Sequence, residues 1–368
     1  MKIGINAGIL THDITGVGRY LVCLLNEFSK NGSHEYFIYL PQEIDLTGIV
    51  PSNMTIRHSC FPRGIGKKIW EQTVLPNWAR RDKLDIFWSP SHHLPLWLAS
   101  STVKVVTIHD VVWKKSPETM VWWRRLSEAI LMPLTIKRAD HIITVSCSTR
   151  DDVIQSWPTV SKNITVIYPG MVRFESDKEN NKNHVDASEY YILFVGTLEP
   201  RKNLVRLIQA YSVLPSKFRL RYKLKIVGGK GWGGEGFLDE YSDDIKNNIE
   251  FMGYLSDLEL GRLYRDASLF AMPSLYEGFG LPLLEAMYYG IPVLTSNCSS
   301  MPEVVAEAGV LVDPYDFQSI ANGIVKILSD KKLSEELLAL SQKRISNFSW
   351  EKSAVQILSL FEESIPPP

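Results

Sequence analysis

The chain of 368 residues carries 40 lysines and arginines against 41 aspartates and glutamates, a formal net charge of −1. Hydrophobic residues make up 45% and charged residues 22%, a balance that excludes a disordered chain. So neutral a chain offers nucleic acid no bulk electrostatic attraction, which sets nucleic acid aside as a partner. At about 100–200 residues per domain, the length predicts two domains. No apolar run reaches the ~18 residues of a membrane-crossing helix, and Met1–Leu10 reads as a strand, not as a leader. Cys23, Cys60, Cys147 and Cys298 are scattered and form neither a metal-type pair nor a disulfide framework, so a soluble, cytoplasmic protein is expected.

In chain order, Lys2–Asn6 (KIGIN) predicts a buried strand, and Gly16–Val17–Gly18–Arg19–Tyr20 leads into a helix that ends near Ser29. Further strands are predicted at Tyr36–Leu40, Met54–His58, Leu84–Ser89, Val103–His109, His141–Val145 and Ile164–Ile167. Helical patterns occupy Gly66–Arg81 and Glu118–Arg138. Apolar strands alternating with helices mean a parallel sheet covered on both faces. Arg173–Glu189 is polar and almost without aliphatic residues, and reads as a linker. Alternation restarts at Tyr190–Gly196, Lys223–Gly228, Ile249–Gly253, Ser268–Met272, Pro292–Thr295 and Val310–Val312, with helices from Lys202, Ser256, Leu281, Phe317 and Leu333. A last helix, near Trp350–Glu363, lies beyond the close of the second sheet and is expected to return to the first domain. The expected organisation is therefore residues 1–172 with 350–368, a linker over 173–189, and a second domain over 190–349. Two doubly wound sheets direct attention to the loops after their strands, where ligands of open α/β sheets bind.

Four such loops carry polar residues suited to chemistry. In Met272–Tyr289, a strand ends, Glu277–Gly278–Phe279–Gly280 makes a loop, and Leu281 opens a helix with Pro282 in its first turn. The N–H groups at that helix start, with Gly280 allowing close backbone approach, suit a phosphate, while the Glu277 and Glu285 carboxylates suit paired sugar hydroxyls. The bland reading makes Glu277 a helix-start acid and Glu285 a solvated residue. In Phe194–Asn203, Arg201 and Lys202 offer a planar fork and a point charge, suited to a diphosphate; the bland reading is a solvated pair. Gly16 and Gly18 follow the first strand and allow close backbone approach, but Leu21 stands where a dinucleotide fingerprint has its third glycine. His109 and Asp110 end the strand of TIHDVVW, where the histidine either meets a sugar hydroxyl or packs the strand end. Gly228–Gly236 and Gly253–Tyr254 also follow strands and suit the wall of a base pocket. His92–His93 lack a third ligand in a metal pattern, and no Asp-x-Asp occurs, so no metal is expected on a diphosphate.

The spacing of Glu277 and Glu285 in EGFGLPLLE resembles the E-x7-E signature of retaining, GT-B-fold glycosyltransferases of family 4. GVGRY, TIHD, Ser146–Asp152, Tyr168–Gly170, VGTLEPRKN, FMGYL and FSWEKSA extend the resemblance along almost the whole chain, in order. It implies two Rossmann-like domains facing a cleft, and transfer of a hexose from a nucleotide diphosphate with its α configuration retained. It further implies that Glu277 binds the transferred sugar and Glu285 the ribose, while Arg201 and Lys202 hold the diphosphate with the N–H groups of Phe279, Gly280 and Leu281. His109 would meet the sugar near its 6-hydroxyl and the reaction centre, and Gly16 to Gly18 the diphosphate and acceptor. The base would rest on Val227, Gly228, Tyr254 and Leu255.

Gly64–Pro76 and SPSHHLPL resemble GDP-mannose-using mannosyltransferases of bacterial surface polysaccharide synthesis, which makes GDP-mannose the favoured donor and a UDP-hexose the next. The acceptor expected is a glycan or a lipid-linked saccharide. Arg63, Lys67, Lys68, Arg80, Arg81, Arg124 and Arg125 cluster in first-domain helical regions beside Trp70, Trp78, Trp122 and Trp123. Such helices either rest on an anionic inner leaflet or are solvated faces over buried tryptophans. Two rivals stand beside the transferase: a Rossmann-like epimerase or dehydrogenase, weakened by the missing third glycine, and a non-catalytic sugar-nucleotide binder.

Overall fold

The computed structural model describes residues 1–11, 16–30, 32–46, 48–62, 64–158, 163–171, 189–229 and 241–365. The predicted linker up to 188, loop positions 230–236 and Arg63 lie outside these residues.

The first half runs β1 (Lys2–Asn6), α1 (Gly16–Ser29), β2 (Glu35–Leu40), β3 (Thr55–His58), α2 (Ile65–Asp82), β4 (Ile86–Ser89) and β5 (Val103–Ile108). It continues through α3 (Val112–Lys115), α4 (Trp122–Arg138), β6 (His141–Thr144), α5 (Cys147–Ser156) and β7 (Asn163–Val166). The second half begins β8 (Tyr190–Val195), α6 (Leu204–Ser212), α7 (Ser216–Arg219), β9 (Tyr222–Val227), α8 (Asp243–Lys246), β10 (Ile249–Gly253) and α9 (Asp257–Asp266). Then follow β11 (Leu269–Met272), α10 (Leu281–Tyr288), β12 (Val293–Ser296), α11 (Met301–Val305), β13 (Gly309–Val312), α12 (Phe317–Ser329), α13 (Lys331–Ile345) and α14 (Trp350–Ser364). The chain divides into two compact units, Met1–Gly170 with Ser349–Pro368, and Met171–Phe348.

In the first unit, seven parallel strands lie in the order β3-β2-β1-β4-β5-β6-β7, with Ile3 opposite both Tyr36 and Ile86. Ile3, Ile5, Ile86, Phe87, Trp88, Val105 and Val106 are all buried, the continuous apolar strands of a sheet covered on both faces. α14 joins this unit. Ser349 caps its first turn, the Ser353 hydroxyl donates to the Tyr168 carbonyl at 2.6 Å, and the Trp350 ring meets Tyr20 of α1 edge-on. In the second unit, six parallel strands follow β10-β9-β8-β11-β12-β13 over a core of Ile192, Phe194, Leu207, Leu224, Leu294 and Ile324.

Strand order reverses between β1 and β4 in one sheet, and between β8 and β11 in the other. At such a switch point the two chain connections part to opposite faces and leave a crevice at the carboxyl ends. The loop after β8 carries Arg201 and Lys202, and the loop after β11 carries Glu277.

Two local expectations are corrected. The helix predicted from Lys202 starts at Leu204, because Pro200–Lys202 closes a 3-10 turn and Asn203 takes a left-handed conformation with φ 60°. The helix predicted over Glu118–Arg138 is broken: the Thr119 hydroxyl turns back onto the Ser116 carbonyl, Met120 and Val121 are extended, and α4 starts at Trp122. Gly16 and Gly18 lie in the first turn of α1, where Gly18 is buried.

Candidate active site

Two staples hold the loops after β8 and β11 together. The Asn203 side-chain amide donates to the Pro273 and Pro314 carbonyls at 2.8 and 2.7 Å, and the Leu275 N–H donates to the Arg201 carbonyl at 2.7 Å. Asparagine tolerates the left-handed conformation that directs its side chain this way. Lys202 is thereby buried with its Nζ 2.6 Å from Glu277 Oε1. Arg201 Nη1 donates to Glu277 Oε2 at 2.9 Å, and its Nε to Glu199 at 2.8 Å. The Glu277 main chain is clamped by the loop after β12. Its N–H donates to Ser299 Oγ, and Ser299 and Ser300 hydroxyls lie 2.6 and 2.9 Å from its carbonyl.

Burial alone would raise the pKa of Glu277, but the charges of Lys202 and Arg201 outweigh it and hold the carboxyl down to about 2. Burial lowers the Lys202 ammonium from its ordinary value; Glu277 opposes that shift and Arg201 adds to it. The carboxylate is thus ionised at neutral pH, with two cations already upon it. The bland reading of a solvated pair fails at Lys202, which is buried in one ionic cluster with Glu277.

Glu285 is buried as well. Tyr264 of α9, itself fully buried, donates its hydroxyl to Glu285 Oε2 at 2.8 Å. Gly280 sets the start of α10 with φ 102°, and Phe279 is buried with its ring against Phe348. Leu281 is half-buried at the first helical position. Gly228 has φ 155°, and a Cβ there would stand 2.0 Å from the Gly196 carbonyl oxygen, so only glycine fits. The Gly228 N–H donates to the Gly253 carbonyl at 2.9 Å, which sets the ends of β9 and β10 side by side. Tyr254 beyond them is exposed and Leu255 half-buried.

In the first unit, His109 follows β5. Its Nε2 lies 2.7 Å from the Pro90 carbonyl and therefore carries the proton, which leaves Nδ1 as the accepting nitrogen. Its N–H donates to His92 Nε2 at 3.2 Å, and the Thr149 hydroxyl donates to its carbonyl at 3.2 Å. Tyr20 packs edge-on against its ring and His92 stacks on it, with centroids 4.9 and 5.7 Å away. Burial, and then the neighbouring His92, bring its pKa down to about 4, so the ring is neutral at pH 7. Gly16 is exposed at the start of α1. At the ends of β1 and β4, Asn6 donates to Glu71 at 3.3 Å and Lys67 stands 3.7 Å from the same carboxylate.

Comparison with known proteins joins the two units into one assignment. Residues 14–172 match the family model described as Glycosyltransferase Family 4, and residues 175–344 match that of Glycosyl transferases group 1. The O-antigen chain mannosyltransferase B of Escherichia coli is 34% identical over 294 residues, covering 77% of this chain and 76% of that protein. The chain belongs to the group 1, family 4 glycosyltransferases. A serotype-specific mannosyltransferase of Escherichia coli is 32% identical over 59% of this glycosyltransferase, which spans only 28% of that longer protein. Among solved structures, a sucrose-phosphate synthase from Thermosynechococcus elongatus superposes with a TM-score of 0.78 at 20% identity over 98% of each chain. The two parallel-sheet units thus have the GT-B architecture, and the protein is a glycosyltransferase.

Asn203, Ser299, Ser300, Tyr264 and the His92 contact are not among the features predicted from the sequence of this glycosyltransferase. Asn203, Ser299 and His92 have φ of 60°, 57° and 44°, left-handed conformations that these residue types can adopt but do not require. Tyr264 had a legible signal, since Ser256 and Glu259 form a capping box that fixes the phase of α9 and turns Tyr264 inward.

Proposed function

We propose that this glycosyltransferase moves a mannosyl group from GDP-mannose to a hydroxyl of a glycan or lipid-linked saccharide, with α configuration retained, in bacterial surface polysaccharide synthesis. The observation that carries the reading is the convergence of Arg201 and Lys202 on buried Glu277 at the switch point of the second sheet. Two cations held there by an internal carboxylate suit a diphosphate that competes for them. The likeness to Escherichia coli O-antigen chain mannosyltransferase B supports mannose and the polysaccharide setting.

In this reading Arg201 and Lys202, helped by the N–H groups of Phe279, Gly280 and Leu281, carry the charge of the diphosphate without a metal ion. Glu277 binds the sugar hydroxyls and Glu285 the ribose. Gly228, Tyr254 and Leu255 line the base, and Gly16 and Gly18 admit the diphosphate and acceptor near α1. His109 offers Nδ1 to a sugar hydroxyl and its carbonyl to positive charge at the anomeric carbon. The acceptor oxygen attacks on the face from which the diphosphate leaves. The bond from the anomeric carbon to phosphate oxygen breaks, the bond to the acceptor oxygen forms, and the acceptor's proton passes to the departing phosphate. Catalysis then rests on positioning and on stabilising the leaving group.

Calorimetry with GDP, UDP, ADP and their hexose conjugates, in the presence of EDTA, tests the donor. The expected result is selective binding of GDP and GDP-mannose. Selective UDP binding moves the donor to a UDP-hexose, and binding that requires added divalent metal overturns the metal-free reading.

A further inference from the structure

α4 presents an apolar face to solvent. Trp122, Leu126, Ile130 and Leu134 recur at every fourth position, and Trp123 stands beside the first. Such spacing makes one stripe along the helix, about 18 Å long at 1.5 Å per residue. These side chains are exposed: Trp122 by 74%, Trp123 by 52%, Leu126 by 54% and Ile130 by 55%. The face also extends beyond the helix. Lys68 of α2 bonds Ser127 of α4, next to exposed Ile69, while the Arg138 guanidinium lies over exposed Trp97, 6.0 Å from its ring centroid. Helix α13 shows what an ordinary solvated face looks like here, with its exposed Lys331–Glu335 and Lys332–Glu336 pairs. The fate predicted for the tryptophans therefore divides: Trp70 is core, and Trp122 and Trp123 are surface.

The exposed charges of α4 have one sign. Arg124 and Arg125 lie at its start and Lys137 and Arg138 at its end, all exposed. The one carboxylate of α4, Glu128, is turned onto His93 with its Oε2 3.0 Å from the ring Nε2. We propose that this face docks on an anionic lipid bilayer, with α4 lying in the interfacial plane. The occupant follows from the chemistry. Tryptophan rings favour the headgroup level, arginine and lysine favour lipid phosphates, and a helix of this length lies along the surface rather than crossing it. A second copy is the poorer fit, because a two-fold contact sets the same arginines against each other. The proposal stands on the surface alone and does not depend on the donor or on the reaction.

The test uses the full chain and sedimentation with large vesicles of phosphatidylcholine, with and without phosphatidylglycerol. The unmodified protein is expected to bind vesicles that contain phosphatidylglycerol, and brominated lipid is expected to quench its tryptophan fluorescence. Trp122→Ser with Trp123→Ser should weaken binding at least tenfold. Arg124→Gln and Arg125→Gln should each weaken it by about fivefold, with a smaller dependence on salt. All four sites are exposed, and unchanged nucleotide affinity with an unchanged unfolding transition confirms a folded variant. Absence of vesicle binding by the unmodified protein overturns the proposal. So does equal binding by the tryptophan variant, or a concentration-dependent dimer that the same substitutions abolish.

Discussion

The second unit buries a carboxylate against two cations; the first buries an imidazole against a carbonyl and a second imidazole. Both clusters stand just beyond the carboxyl ends of parallel strands, where burial penalises charge. At Glu277 the penalty is outweighed by Lys202 and Arg201, and the group stays ionised with its pKa near 2. At His109 no partner outweighs it, and the ring stays neutral with its pKa near 4. The difference teaches how one architecture makes two kinds of polar site. One holds charge that an incoming anion can re-partner, and the other holds a fixed neutral donor–acceptor pattern.

The largest effect should come from separating charge from its partner. Lys202→Ala is expected to lower turnover by about a thousandfold, a loss of about 4 kcal/mol of transition-state stabilisation. It also leaves Glu277 buried with Arg201 alone, which costs about 3 kcal/mol of stability in denaturant unfolding. Adding Glu277→Gln to Lys202→Met should restore most of that stability and none of the turnover. If Lys202→Ala kept wild-type turnover, the cation would have only a structural role and the contrast between the units would lose its functional meaning. Gly228→Ala tests the backbone beside the same site. Its Cβ would stand 2.0 Å from the Gly196 carbonyl oxygen at a φ of 155°, and main chain cannot yield as a flexible side chain does. A loss of about 3 kcal/mol is expected in the same unfolding assay. A near-neutral substitution would mean that β8 and β9 part easily at their ends.

Acid separates the two clusters directly. The folded pKa of His109 lies below its ordinary 6.5, so its neutral form contributes stability that is present above that value and lost as pH falls toward 4. Glu277 is also depressed, from 4.5, so its contribution persists to lower pH and is lost only as pH falls toward 2. Lowering the pH from neutrality to about 5 should therefore destabilise the first unit by about 2 kcal/mol through His109, while the Glu277 cluster is untouched. His109→Gln should remove that slope. A slope unchanged in His109→Gln would assign it to other groups.

Much of this was legible in the chain. The apolar runs KIGIN and YYILFV, set between amphipathic segments, announce two parallel sheets, because strands buried on both faces need side chains that are apolar throughout. Arg201, Lys202, Glu277 and Glu285 were legible as candidates because they follow strands beside glycines and proline. Their mutual contact was not, since it depends on β8 and β11 being neighbours in space while 3 strands apart in order (β9, β10, β11). Asn203 and Ser299 were hidden for another reason. Each acts through a left-handed backbone, φ 60° and 57°, that its residue type does not require. The broken start of α4 followed from one hydroxyl, Thr119, competing for a carbonyl.

The smallest effect tests Glu285, whose carboxylate has a neutral donor in Tyr264 where Glu277 has cations. Tyr264→Phe removes one hydroxyl and keeps the ring that stacks on Tyr289, 5.7 Å away and 5° from parallel. A hydrogen bond to a charged group contributes about 1.5–3 kcal/mol, and the low end applies if Glu285 turns toward another partner. The donor KM should rise by about tenfold with kcat little changed, because binding of a ribose is shared by ground and transition states. Discrimination between GDP and its 2′-deoxy analogue should shrink by a similar factor, since a looser carboxylate gains less from the 2′-hydroxyl. A purely structural role for Tyr264 would lower stability and leave that discrimination intact. The ratio of the two affinities, more than either alone, therefore decides whether Glu285 is a ribose ligand held by a neutral hydroxyl.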